Sequence, residues 1–89
     1  MLNLQRVAMF LAVVDAGSFT AAAATLGQTK AVVSFNIRQL EAELGVALLL
    51  RTTRKLALTE AGNTFYQRGA ELLQQTENLL QDVQQNHQS

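Results

Sequence analysis

With 89 residues, the chain has room for one small domain built on a single core. Hydrophobic residues make up 48% and charged residues 16%, which argues against a disordered polar segment, and the absence of cysteine excludes disulfides and thiolate metal sites. The net charge is zero but unevenly spread: residues 28–58 carry Lys30, Arg38, Arg51, Arg54 and Lys55 against Glu41 and Glu43, a balance of +3, whereas residues 59–89 balance at −3.

A phosphate backbone responds to such a local basic surface and not to the overall sum. The longest apolar runs fall far short of a membrane span, residues 1–10 lack a signal-peptide pattern, and proline is absent, which favours uninterrupted helices.

Leu4, Val7, Phe10, Leu11 and Val14 recur at helical spacing and predict a first helix from Asn3 to Ala16, stopped at Gly17, with this stripe in the core. Ser18 then caps a second helix that closes at Gly27 and buries Phe19, Ala22, Ala23 and Leu26. The run Ala21 to Ala24 is strongly helix-forming and small enough to admit another helix closely.

After the short connection Gly27-Gln28-Thr29, a third helix is predicted to run from its cap at Thr29 to Leu44, with Gly45 as its stop. Val33, Ile37, Leu40 and Leu44 line one stripe, while Ala31, Phe35, Arg38 and Ala42 point the other way. Ser34 flanks that second face and Lys30 stands in the first turn. Two short helices joined this way form a helix-turn-helix whose second member suits a DNA major groove. An ordinary amphipathic surface helix would carry the same stripe.

Two apolar pieces follow, Leu48 to Leu50 and Leu56-Ala57-Leu58, separated by the basic segment Arg51 to Lys55. They are predicted to be the strands of a wing whose tip reaches phosphates or the adjacent minor groove, the alternative being a solvated loop. Thr59 then caps a long helix running to about Gln85, with Asn86 to Ser89 as a polar tail. Phe65, Gly69, Leu72, Thr76, Leu79 and Val83 form one stripe, with Tyr66, Leu73 and Leu80 alongside. A helix so long in so short a chain is expected to project beyond the core and expose its leucines unless a second copy covers them. The alternative is a fourth core helix folded back on the others.

Chemistry that needs histidine pairs or phosphate loops finds no support. His87 is the only histidine, no glycine-rich phosphate loop occurs, and Glu41 and Glu43, two residues apart, do not share a helical face. The chain is expected not to be an enzyme and to need no cofactor or metal.

In order and spacing, Phe10-x-x-Val13, Gly17-Ser18-Phe19-Thr20 with Ala22-Ala23, Ser34-x-x-Ile37-x-x-Leu40-Glu41, Leu44-Gly45-Val46, Leu48-x-x-Arg51, Arg54 and Leu58-Thr59-Glu60-Ala61-Gly62 resemble the N-terminal DNA-binding region of LysR-type transcriptional regulators. The resemblance covers residues 4–62. It implies a mainly α winged helix-turn-helix, three helices plus a two-stranded wing, followed by a linker helix that dimerises antiparallel. It also implies a bacterial, cytoplasmic, nucleoid-associated protein acting on a double-stranded DNA operator, with a higher oligomer in the intact regulator. A C-terminal effector-binding domain would follow in the full-length relatives, so the chain is expected to be a fragment or a shortened form.

On this reading residues 1–59 form the DNA-binding domain, with the helix-turn-helix motif at about 19–38, and residues 60–89 the dimerisation helix. The residues expected to meet DNA are Thr29, Lys30, Ala31, Ser34, Phe35, Arg38, Arg54 and Lys55; those expected at the dimer seam are Phe65, Leu72, Leu73, Thr76, Leu79, Leu80 and Val83. Arg51 matches a frequent family arginine for which an internal role competes with DNA contact. Phe35 departs from the pattern, which is basic or polar there, as do Leu49 and Leu50, where phenylalanine and an acidic residue are common. A winged-helix protein-interaction module using Ala31, Val32 and Phe35 is the alternative function.

Overall fold

Each of the first three helices starts on a side-chain cap. In the computed structural model, which describes residues 1–51 and 55–88 with the side chains of residues 87 and 88 excepted, α1 spans Leu4–Ala16, α2 Phe19–Leu26 and α3 Lys30–Leu44. Asn3 accepts from the Gln5 and Arg6 amides, Ser18 from the Ala21 amide and Thr29 from the Val32 amide, so otherwise orphaned first-turn donors are satisfied. Gly27 closes α2 at φ 66°, a left-handed conformation that costs glycine nothing and lets the chain turn into α3 within three residues.

The three helices enclose the core. Val7, Phe10 and Val13 of α1, Ala22 and Ala23 of α2, and Val33, Ile37 and Leu40 of α3 are buried together with Leu48 and Leu49. The methyl side chains of Ala22 and Ala23 are what allow α2 to pack so near its neighbours. Strands β1 (Leu49–Leu50) and β2 (Ala57–Leu58) pair antiparallel, Leu49 opposite Leu58 and Leu50 opposite Ala57.

Helix α4 spans Glu60–Gln88, and its 29 residues extend about 43 Å at ~1.5 Å per residue. Its start is pinned through Thr59, whose hydroxyl donates to the Ala47 carbonyl at 2.7 Å and accepts from the Gly62 amide at 2.9 Å. The Thr59 amide donates to the Leu48 carbonyl. Gly62 lies so near that a Cβ there would stand 2.1 Å from the Leu48 carbonyl oxygen. One turn on, Phe65 meets Phe10 edge-on with ring centroids 5.5 Å apart, and Gly69 faces Leu11 and Val7. The Tyr66 hydroxyl donates to Asp15, and that hydrogen bond together with the carboxylate's charge raises the phenol above its usual 10.0. Beyond this region α4 leaves the core, giving an elongated molecule 54 Å long and 26 Å across. The fold-back alternative is thereby replaced by a projecting helix.

Three expectations about packing shift. On α1, Val13 is buried in place of Leu4, which stands in the first turn and is 40% exposed, while Leu11 and Val14 are half-buried. On α3, Leu44, the last residue of the helix, is 39% exposed. Leu48 precedes the strand instead of joining it, its amide being taken by Glu41. Helix α4 also continues through Asn86 to Gln88, with no proline along it to break the hydrogen-bond ladder.

Candidate nucleic-acid interface

The outer face of α3 is exposed and carries no free carboxylate. Lys30, Ala31, Phe35 and Arg38 are exposed and Ser34 is half-buried, while among the described residues neither Lys30 nor Arg38 enters an ion pair. Thr29 is exposed too, and its hydroxyl oxygen, while accepting the cap bond from the Val32 amide, still has its O–H to donate. Both acidic residues of α3 are turned aside. Glu43 pairs with Arg6 of α1 at 2.6 Å, and Arg6 also donates to Asn36 at 3.1 Å. Glu41 faces the wing.

Glu41 organises the wing, a role the sequence reading missed. One carboxylate oxygen accepts from the Leu48 and Leu49 amides at 2.7 and 3.2 Å, and the other from Arg51 at 2.5 Å. The Arg51 guanidinium in turn lies 5.9 Å from the Phe19 ring centre. Thus one side chain ties the end of α3 to β1 and, through Arg51, to the start of α2. Arg51 is accordingly anchored by its own chain at the domain surface, its side chain still 39% exposed. A signal was available: an acid in the last turn of a helix, then an arginine just after the strand that follows the turn. With the Glu41 side chain only 14% exposed, Glu41→Gln should lower stability by about 1–3 kcal/mol, the range for unpairing buried hydrogen-bonding groups. Thermal melts of parent and variant check this; equal melting would mean the wing is held by packing alone.

Beside α3, a shallow cleft opens between the start of α2 and the wing, lined by Ser18, Thr20, Lys30, Arg51 and Lys55 with Leu49 at its floor. It places hydroxyls and cations next to the exposed face of α3. Thr20 was not anticipated in this setting. Arg54, the expected minor-groove residue, lies outside the described residues, and Lys55 stands exposed at the base of the wing.

The second expected surface divides in two. Phe65 is turned onto Phe10 of its own domain. Leu73 and Thr76 are half-buried, the Thr76 hydroxyl donating back to the Leu72 carbonyl, whereas Leu72, Leu79, Leu80 and Val83 are 41%, 61%, 51% and 59% exposed. One apolar face therefore starts in the core and continues uncovered along the projecting half of α4.

Residues 4–63 match the family of bacterial regulatory helix-turn-helix proteins, lysR family. The chain belongs to the LysR family. This LysR-family chain is 43% identical over 82 residues to the HTH-type transcriptional regulator PtxR of Pseudomonas aeruginosa, covering 92% of the chain and 26% of PtxR. It is 49% identical over 73 residues to the HTH-type transcriptional activator TtdR of Escherichia coli, covering 82% of the chain and 24% of TtdR. The chain thus spans about a quarter of the length of these curated relatives. Among solved structures it resembles the BenM DBD–catB site 1 DNA complex, with a TM-score of 0.95 and 33% identity over 99% of both chains. It also resembles the CbnR DBD–DNA complex, with a TM-score of 0.90 and 29% identity over 96% of this chain and 98% of that one. The winged helix-turn-helix architecture of the LysR family is therefore that of this chain.

Proposed function

We propose that this LysR-family domain binds duplex DNA sequence-specifically as a homodimer and regulates transcription. The observation that carries the reading is the outer face of α3: exposed, bordered by Lys30 and Arg38, and cleared of negative charge because Glu41 and Glu43 are paired elsewhere. Lys30, Arg38 and the wing would hold phosphates and fix the register, while Ala31, Ser34 and Phe35 would face base edges. Arg54 would enter the minor groove beside the site, most favourably where A·T pairs narrow it. The relatives' names and the DNA in the BenM and CbnR complexes support the same reading.

Dimerisation is supported by the exposed leucines of α4, which a second copy would cover in antiparallel fashion. Among the described residues no helix is long and apolar enough to cross a membrane, which fits a protein working beside the bacterial chromosome in the cytoplasm. Selection of bound duplexes from a random pool tests the proposal. An inverted repeat with half-sites about one helical turn apart should emerge; a pool that stays random after repeated rounds would refute it.

A further inference from the structure

At the centre of the outer face of α3 stands an apolar patch where a base-reading surface would ordinarily place hydrogen-bonding groups. Phe35 is 57% exposed and Val32 40% exposed, with exposed Ala31 in the same two turns. The ring lies nearly opposite the buried Val33, Ile37 and Leu40, so no rearrangement of rotamers takes it into the core. On the same helix Ser34 precedes Phe35 and Arg38 follows one turn on, both suited to phosphates or polar base edges, while Lys30 stands in the first turn. Phe35 itself can neither donate nor accept a hydrogen bond to a base.

The major groove offers a side chain of this kind one apolar feature, the C5-methyl group of thymine. The N-terminal half of a recognition helix is the part that reaches base edges, and Phe35 lies in its second turn. We propose that Phe35 is a specificity-determining residue that selects thymine by packing its ring against that methyl group, Val32 and Ala31 extending the apolar contact. The inference rests on the DNA-binding reading above and adds to it the base that this position recognises.

Deoxyuridine tests it, because it removes the methyl group and leaves base pairing intact. Duplexes selected by the parent protein are remade with single thymines replaced by deoxyuridine and titrated with parent and Phe35→Ala; thermal melts confirm that the exposed substitution leaves the fold in place. At one position per half-site the replacement should weaken the parent about fivefold, a single-contact effect, and leave the variant nearly unaffected. If parent and variant respond alike at every thymine, Phe35 does not read a methyl group and the inference fails while DNA binding stands. If Phe35→Ala binds every duplex as tightly as the parent, the patch serves another partner, such as a protein, and the inference again fails. A parent that enriches no duplex overturns the DNA-binding reading itself, and the thymine contact with it.

Discussion

Replacing Leu72 and Leu79 by glutamate should turn the proposed dimer into a folded monomer. Both side chains are exposed in the single chain, at 41% and 61%, so the substitutions remove nothing from the domain's own core. Against a second copy, however, each glutamate would be desolvated without a partner, a cost of several kcal/mol per ion. Sedimentation should report the monomer mass with helix content and melting of the DNA-binding domain retained. Linked half-sites gain avidity of roughly 10²–10⁴ over a single one, so affinity for an inverted repeat should fall by about that factor. Affinity for an isolated half-site should change little. A double variant that still sediments as a dimer would place the seam elsewhere.

The second large effect concerns stability. Gly62→Ala should destabilise the domain by about 3 kcal/mol, the upper part of the range for overpacking. Its Cβ would lie 2.1 Å from the Leu48 carbonyl oxygen, and that carbonyl is a backbone atom already engaged by the Thr59 amide. Neither partner can rotate away, so α4 must lift from the wing or β1 must move. For a domain of this size each kcal/mol shifts melting by about 4–8 °C, so a fall of well over 10 °C is expected, in the range of roughly 12–24 °C. Gly69→Ala is the matched control. There the Cβ would meet the Leu11 Cδ1 and Val7 Cγ1 atoms at 3.2 Å, methyl groups that can give by a few tenths of an ångström. The gain of about 1 kcal/mol in helix propensity from glycine to alanine then offsets the crowding, and melting should stay near that of the parent. Similar losses at both positions would contradict the distinction between backbone and side-chain contact.

The contrast between these two glycines marks where a sequence stops being legible. Asn3, Ser18 and Thr29 announce the helix starts, because a capping side chain acts on amides two or three residues away. Such local chemistry is written in adjacent positions. The apolar period likewise identifies which face of α1 and α3 turns inward, but not how far along the helix a neighbour extends. Leu4 and Leu44 belong to the right stripes and yet, at the ends of their helices, stay 40% and 39% exposed. The same ambiguity affects α4. Its apolar stripe meets Phe10, Leu11 and Val7 near the start and is 61% exposed at Leu79, so Phe65 and Leu79 look equivalent in sequence and differ in structure.

For the interface, the residue types on the outer face of α3 could be read directly from helical geometry. What spacing alone could not reveal is the disposal of its two carboxylates. Glu41 and Glu43 reduce the charge of the basic third of the chain on paper. In the folded domain they are bound to Arg51 and Arg6, on the two flanks of α3, and the face between is left to Lys30 and Arg38. A charge sum taken along the chain thus understates the potential a phosphate backbone would meet.

That face is the centre of the account, and the salt dependence of DNA affinity tests it most directly. Binding through phosphate contacts releases counterions, so the logarithm of affinity should fall linearly with the logarithm of salt concentration, by about 0.9 per contact. A selected duplex titrated across a salt series with the parent, Lys30→Ala and Arg38→Ala should therefore give a steep slope for the parent. In a dimer, where each substitution removes two contacts, the slope should be shallower by about 1.8 for either variant. An affinity indifferent to salt, as apolar protein contacts would give, or a parent slope unchanged by both substitutions, would contradict the account.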